Sequence, residues 1–331
     1  MRAPAFWWAR QNNLTSLALM PLSWTYRAGT VIKNMVGPSP QQVSAPVICI
    51  GNVTIGGSGK TPIALDIAER LKLMGMKPHF LTRGYGGCLL GPTKVELDYH
   101  TPTDVGDEAF LLTRVAPTWI GADRSATAIM ALKAGANVLI MDDGFQNVSL
   151  VKDLSLLVFD GGVGKGNNHL LPAGPLREPL DNALSRADGL ILLGKDKTSL
   201  LSSLPNSVPK FTASVRPALE KMELKGRRFL AFAGIGRPKK FFDTLEESGA
   251  ILAETKTFPD HHPYTLSEIT SLKAHAATLE AALITTEKDA VRLRPNEKSG
   301  INILTISIHW DDVDAIEALL VSLTNRLTHA G

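Results

Sequence analysis

Residues 47–62 constrain this chain more than any other stretch. Val47-Ile48-Cys49-Ile50 is a short apolar run ending in Gly51-Asn52 and reads as a buried strand. Behind it comes the turn Thr54-Ile55-Gly56-Gly57-Ser58-Gly59-Lys60-Thr61. Ile63, Ala64, Ile67, Ala68 and Leu71 then follow at helical spacing, and Pro62 falls in the first turn, where its missing N–H costs little. Strand, glycine loop and helix together form a phosphate cradle. Backbone N–H groups and the helix N-terminus converge on the anion, Lys60 adds a charge, and Thr61 is a Mg²⁺ ligand in such a loop. The strict pattern has glycine where this chain has Thr54, yet Gly56, Gly57 and Gly59 still let backbone approach a phosphate closely.

The rest of the chain extends this unit. Apolar runs at His79–Thr82, Thr118–Gly121, Asn137–Met141, Leu154–Phe159 and Gly189–Leu193 alternate with helical patterns. That alternation predicts an α/β fold, P-loop NTPase-like, with a mostly parallel, doubly wound sheet. From about Pro209 the character shifts. Runs at Arg228–Gly234, Ala282–Thr286 and Ile301–Ile308, with an amphipathic stretch at Val313–Leu323, predict a second, smaller α/β domain. At 331 residues the chain is long enough for both. The expected division is an N-terminal segment 1–35, a nucleotide-binding domain 36–215, and a domain 216–331 that closes over the cleft between them. Two cysteines, Cys49 and Cys88, cannot build a disulfide framework and fit a reducing compartment.

Charge is unevenly placed. The net charge is +3, but the first acidic residue is Asp66, and Arg2, Arg10, Arg27, Lys33 and Lys60 all precede it. Phe6, Trp7, Trp8, Trp24 and Tyr26 share this stretch. Aromatic bodies beside cationic tips suit a membrane headgroup layer, so residues 1–35 are expected to attach peripherally to a lipid surface. The 16 residues between Arg10 and Arg27 include Gln11, Asn12, Asn13 and Pro21 and fall short of the ~20 apolar residues of a span. A helix packed on its own domain, with the aromatics in the core, is the alternative. Nucleic-acid binding is poorly supported, because no dense Lys/Arg run occurs.

Four polar clusters can serve a bound nucleotide. Val138–Met141 ends in Asp142-Asp143-Gly144, and carboxylates at the carboxyl end of a parallel strand can reach a nucleotide-bound metal. Asp107 and Glu108 follow Gly106 at a predicted helix start, His261-His262 lie in a loop, and Leu171–Pro179 carries Arg177-Glu178. A helix-dipole acid, a solvated loop pair and a surface ion pair are the ordinary readings of the last three.

Taken together, these segments resemble the tetraacyldisaccharide 4'-kinase family of lipid A biosynthesis. The resemblance rests on Gly51-Asn52 through Pro62, Arg83-Gly84-Tyr85-Gly86, Gly106-Asp107-Glu108, Gly121-Ala122-Asp123-Arg124 and Asp142 through Gln146. It continues through Leu171 to Glu178, Phe232 to Ile235, Phe258 to His261 and Thr286 to Ala290. It implies an ATP- and Mg²⁺-dependent kinase acting on the 4'-hydroxyl of a tetraacylated glucosamine disaccharide 1-phosphate at the cytoplasmic face of the inner membrane. By the same resemblance Asp107 is the catalytic base, His261 its partner, and Lys60 and Arg177 further catalytic groups. Thr54, Ile55, Gly56, Gly57, Ser58, Gly59, Lys60, Thr61, Gln146 and Arg124 are nucleotide-site positions, with Glu178 beside them. Thr61, Glu108, Asp142 and Asp143 are metal-site positions. Asn147 stands where the family commonly has histidine, so no charged role is assigned there, and none is assigned to His262. A membrane-associated switch ATPase shares Gly56 through Thr61, but its signature lysine would stand at Ile55, and it leaves Asp107 and His261 without a purpose. A kinase of a soluble small molecule leaves the N-terminal segment without one.

Overall fold

The computed structural model describes residues 4–9, 13–37, 39–218 and 222–328. Arg2 and Arg10, and the side chain of Lys33, lie outside the described residues. Strands in chain order are β1 Val47–Gly51, β2 Pro78–Thr82, β3 Thr93–Lys94, β4 Thr118–Ile120, β5 Val138–Asp142, β6 Leu154–Asp160, β7 Gly189–Leu193 and β8 Lys210–Pro217. Then come β9 Arg228–Ala233, β10 Ile251–Thr257, β11 Ala282–Thr286, β12 Ile301–Leu304 and β13 Ile306–Trp310.

Two sheets result. One has nine strands in the order β13-β8-β7-β6-β1-β5-β2-β4-β3, and the other has four in the order β10-β9-β11-β12. The nine-stranded sheet is parallel except where β3 meets β4 and β13 meets β8 at its two edges. Successive side chains of β1 point to opposite faces, so Ile48 and Ile50 enter one apolar layer while Val47 and Cys49 enter the other. Helices cover both layers, which explains why these strands read as continuous apolar runs. The four-stranded sheet, parallel throughout, repeats the plan with apolar layers on both faces.

The division expected at 216–331 differs from the structure in one respect. The run Ile301–Ile308 is cut at Thr305: β12 belongs to the small sheet, while β13 crosses back to pair with β8. The helix Val313–Thr328 follows and adds Ile316, Leu320 and Leu323 to the apolar layer that holds Ile63, Ile67 and Leu71 of the helix Lys60–Leu73. Each such side chain contributes roughly 1.5–3 kcal/mol when buried. Trp310 Nε1 donates to Asp66 at 2.7 Å, and Arg70 pairs with Glu317 at 2.6 Å. The small sheet is therefore an insertion between β8 and β13. Its two crossing points touch, because Ala218 N donates to Thr305 O at 2.9 Å.

The N-terminal helix runs Leu14–Val36, its first turn capped by Asn13, whose Oδ1 accepts from Ser16 N at 2.7 Å. One face docks through small polar groups: Ser16 Oγ donates to Ala173 O at 2.7 Å and Ser23 Oγ to Leu170 O at 2.9 Å. The rest is open, with Trp24 66% and Met35 79% exposed beside Leu14, Ile32 and Val36. Trp7 is buried and donates to Pro172 O at 3.0 Å, so the core-helix alternative holds for Trp7 and fails for Trp24. Among the described residues no helix is long and apolar enough to cross a membrane.

Candidate active site

The glycine loop leaves β1 at the carboxyl edge of the large sheet. Asn52 pins it from inside, with Nδ2 donating to Thr54 O at 2.7 Å and to Ser58 Oγ at 3.0 Å. Gly59 caps the following helix at φ +86°, a conformation that favours glycine, and any Cβ there would collide with Leu193. Ile55 N donates to Pro175 O at 2.9 Å and Arg177 N to Val53 O at 2.7 Å, which lays the Leu171–Glu178 segment along the loop. Thr54 through Thr61 all line the cleft, as the sequence pattern requires.

Charged groups from β5 and from that segment meet beside the loop. Lys60 Nζ lies 3.5 Å from Asp143 Oδ1, and Arg177 donates to the same oxygen at 3.0 Å. Burial pushes the Asp143 carboxyl up, but Lys60 and then Arg177 outweigh it and hold the group below the usual carboxylate range. Asp142 behaves oppositely. Burial, reinforced by Glu108, pushes it up to about 7 against the pull of Lys60. Its Oδ2 accepts from Thr61 Oγ1 at 2.9 Å, and its buried Oδ1 has no hydrogen-bond partner among the described residues. Gln146 bridges Asn52 O at 2.9 Å and Glu178 Oε1 at 3.1 Å, and Glu178 also pairs with Arg186. Arg124 is buried against Gly121 O, and burial, helped by Arg83, lowers it to about 10.

The opposite wall comes from the small sheet. Gly106, at φ +90°, packs so tightly on the Tyr85 carbonyl that a Cβ would clash, and it starts the helix Asp107–Leu112. Asp107 thus stands at a helix N-terminus facing the other half. His261 Nδ1 lies 2.8 Å from Asp107 Oδ2, although 154 residues separate them. His261 sits at φ +58°, the left-handed region, which a non-glycine residue occupies only when its surroundings hold it there. Arg292 Nε reaches the same Asp107 oxygen at 2.7 Å. Burial raises the Asp107 pKa, yet the His261 hydrogen bond and Arg292 together bring it below its ordinary value. Next to this group, Lys288 Nζ pairs with Glu108 at 3.1 Å.

The glycine loop, Glu108 and His261 line one cleft of about 3500 Å³, which Trp8 and Tyr26 also line. Small-molecule pockets measure roughly 300–1,000 Å³, so the cleft is larger than a single small ligand needs.

A family model described as tetraacyldisaccharide-1-P 4'-kinase matches residues 15–325. The chain belongs to the tetraacyldisaccharide 4'-kinase family. Its activity is ATP-dependent phosphoryl transfer to the lipid A precursor. Relatives named tetraacyldisaccharide 4'-kinase include one from Paramagnetospirillum magneticum, 47% identical with 99% of each chain covered. Another, from Parvibaculum lavamentivorans, is 51% identical over 88% of this chain and 87% of its own. LpxK from Aquifex aeolicus, solved in complex with ATP, is similar with a TM-score of 0.74 and 25% identity, covering 94% of this chain and 99% of that one.

Two residues of the kinase without an assigned role prove to be local braces. Asn147 Oδ1 accepts from Ser149 N and Oγ in a turn, and His262 stacks on Phe258 and contacts Glu268 at 3.0 Å. The sequence reading missed Arg292 and Asn52 as site residues. For Asn52 a signal existed, since it sits between strand and glycine loop. Arg292 stands in an apolar Val-Arg-Leu context two residues beyond the Thr286–Ala290 motif, and only the fold brings it to Asp107.

Proposed function

We propose that the Asp107–His261 pair accepts the proton of the acceptor's 4'-hydroxyl while the γ-phosphate of ATP is transferred across the cleft. The 2.8 Å contact between these two residues carries the reading, with His261 lining the same cleft as the glycine loop. As the hydroxyl oxygen bonds to the γ-phosphorus, the bond to the β,γ-bridging oxygen breaks and ADP leaves. Asp107 takes the proton as base, and His261 orients the carboxylate and shares the charge. Lys60 exchanges its contact with Asp143 for the phosphates, and Arg177, 3.0 Å from the same aspartate, meets the charge that develops on the transferring group. Backbone N–H groups of Gly56–Thr61 hold the β-phosphate, with Gln146 and Arg124 fixing the flanking loops.

The donor set fits a magnesium ion carried by the nucleotide. Asp142 Oδ1 is buried without a partner among the described residues, Thr61 Oγ1 is beside the same carboxylate, and Glu108 is close enough to raise its pKa. Among the described residues no cluster of three or more His, Cys, Asp or Glu is arranged to enclose a metal. Phosphate and water would therefore complete the shell, the usual state of magnesium on a nucleotide. Thr61, Asp142, Asp143 and Glu108 would hold the ion, and its chemistry there would be to neutralise phosphate charge.

The acceptor is a tetraacylated glucosamine disaccharide 1-phosphate, met at the cytoplasmic face of the inner membrane. The apolar residues exposed on Leu14–Val36 support peripheral attachment, placing acyl chains in lipid and the sugar in the cleft. The inserted small sheet moves as a lid about the hydrogen-bonded crossings at Ala218 and Thr305. Purified protein incubated with labelled ATP, Mg²⁺ and the tetraacyl disaccharide 1-phosphate tests the reading. Label on the lipid at the 4'-position is expected, and label on water alone overturns it.

A further inference from the structure

Arg292 is 5% exposed and holds its neighbours with most of its fork. Nε donates to Asp107 Oδ2 at 2.7 Å, while Nη1 donates to Gly234 O and to Asp289 Oδ1, each at 3.0 Å. Asp289 is itself immobilised. It is fully buried and accepts from Gly234 N at 2.8 Å, Tyr264 Oη at 2.8 Å and Thr286 Oγ1 at 2.6 Å. The guanidinium is therefore fixed to the core of the four-stranded half before it reaches across to Asp107. His261 approaches the same oxygen from the same half. Both contacts fall on Oδ2, and Oδ1 makes no hydrogen bond among the described residues. The remaining amino group, Nη2, is buried without a partner among the described residues, a cost that a purely structural anchor has no reason to keep.

We propose that Arg292 is a positioning residue for phosphoryl transfer: from the lid it clamps one oxygen of Asp107 jointly with His261 and so sets the orientation of the proton-accepting pair. The inference rests on the reading of Asp107 as the base. A carboxylate held at one oxygen by two donors from a single rigid body takes one rotamer relative to that body. Two planar donor groups sharing one acceptor also fix the imidazole ring. Without Arg292, Asp107 is held by His261 alone. A misplacement of about 1 Å at a reacting group costs roughly 10²-fold in rate.

The test uses the full-length kinase in mixed micelles, with initial rates measured against ATP and against the lipid for Arg292→Ala, Arg292→Lys, Asp107→Ala and the double alanine variant. Arg292→Ala is expected to lower kcat roughly 10²-fold with the KM for ATP unchanged. Arg292→Lys should regain part of the loss, and added guanidinium chloride should restore Arg292→Ala. In the Asp107→Ala background the Arg292 change should cost nothing more and guanidinium should restore nothing, because residues acting as a unit are not additive. If Arg292→Ala does not fold, Arg292→Lys carries the same comparison through its kcat and its coupling to Asp107. Wild-type kcat in the Arg292 variants beside an inactive Asp107→Ala overturns the inference and leaves the base reading standing. So does a loss that multiplies with that of Asp107→Ala and answers to neither lysine nor guanidinium. Wild-type turnover in Asp107→Ala overturns the base reading itself.

Discussion

Among the carboxylates of the nine-stranded half that reach over to the four-stranded half, Asp107 and Asp160 are held in different ways. Asp107 meets His261 and Arg292, and Arg292 is 5% exposed and bolted to Asp289 and Gly234. Asp160, at the end of β6, meets Arg237 at 2.7 Å and Lys240 at 3.1 Å, side chains that remain about 40% exposed. Arg237 Nη1 approaches off the hydrogen-bonding direction, so that contact is Coulombic. The first crossing fixes a geometry and the second supplies attraction without one. The proposed proton transfer needs the former, and the proposed lid motion tolerates the latter.

Swapping the same substitution between the two crossings gives the largest expected contrast. Asp107→Asn keeps the shape but removes the proposed base, and is expected to lower kcat by about 10²–10⁴-fold, the range of general-base catalysis. Asp160→Asn should leave kcat near wild type. Comparable losses in steady-state assays of the two would erase the distinction. Next in size is Lys60→Ala, expected to cost roughly 10²–10³-fold as the loss of one preorganised charge on the phosphates, in a protein whose circular dichroism is unchanged. Near-wild-type turnover would remove Lys60 from the transfer.

A baseline away from both crossings comes from the N-terminal helix. Trp24→Ser with Ile32→Ser should weaken liposome co-sedimentation about tenfold or more, since each buried apolar side chain contributes roughly 1.5–3 kcal/mol. Equal sedimentation would assign that exposed face another purpose. The smallest effect is on stability. Burial pushes the Asp160 carboxyl up, but Lys240 and Arg237 outweigh it and hold its pKa below the ordinary value. Its contribution is thus present above the pKa of the unfolded chain and is lost as pH falls through the folded pKa. With partners this exposed, Asp160→Asn should cost about 1 kcal/mol near pH 7, and the two thermal midpoints should converge below the carboxylate range. A difference that grows on acidification would contradict the ion-pair account.

The sequence makes one side of this comparison far more legible than the other. Strand, glycine loop and helix are contiguous from Val47 to Leu73, so local pattern alone defines them, and Asp142-Asp143 follow directly from an apolar run. The roles proposed for Asp107 and His261 rest on resemblance, because neither Gly-Asp-Glu nor His-His carries its chemistry in local spacing. The return of β13 was not legible. Ile301–Ile308 has no turn residue at Thr305, and an apolar strand is the same string whichever sheet receives it. Arg292 and the Asp160 crossing were hidden for a related reason: their partners are 185 and 80 residues away, and nothing local marks them.

Kinetics of Asp107→Ala, His261→Ala and the double variant, at saturating ATP on the lipid acceptor, test the central claim most directly. If the two residues accept one proton as a unit across the cleft, each single change lowers kcat far more than it raises the KM for ATP, and the double variant loses much less than the product of the single losses. Fully multiplicative losses would contradict the account and leave Asp107 and His261 as separate contributors that happen to touch.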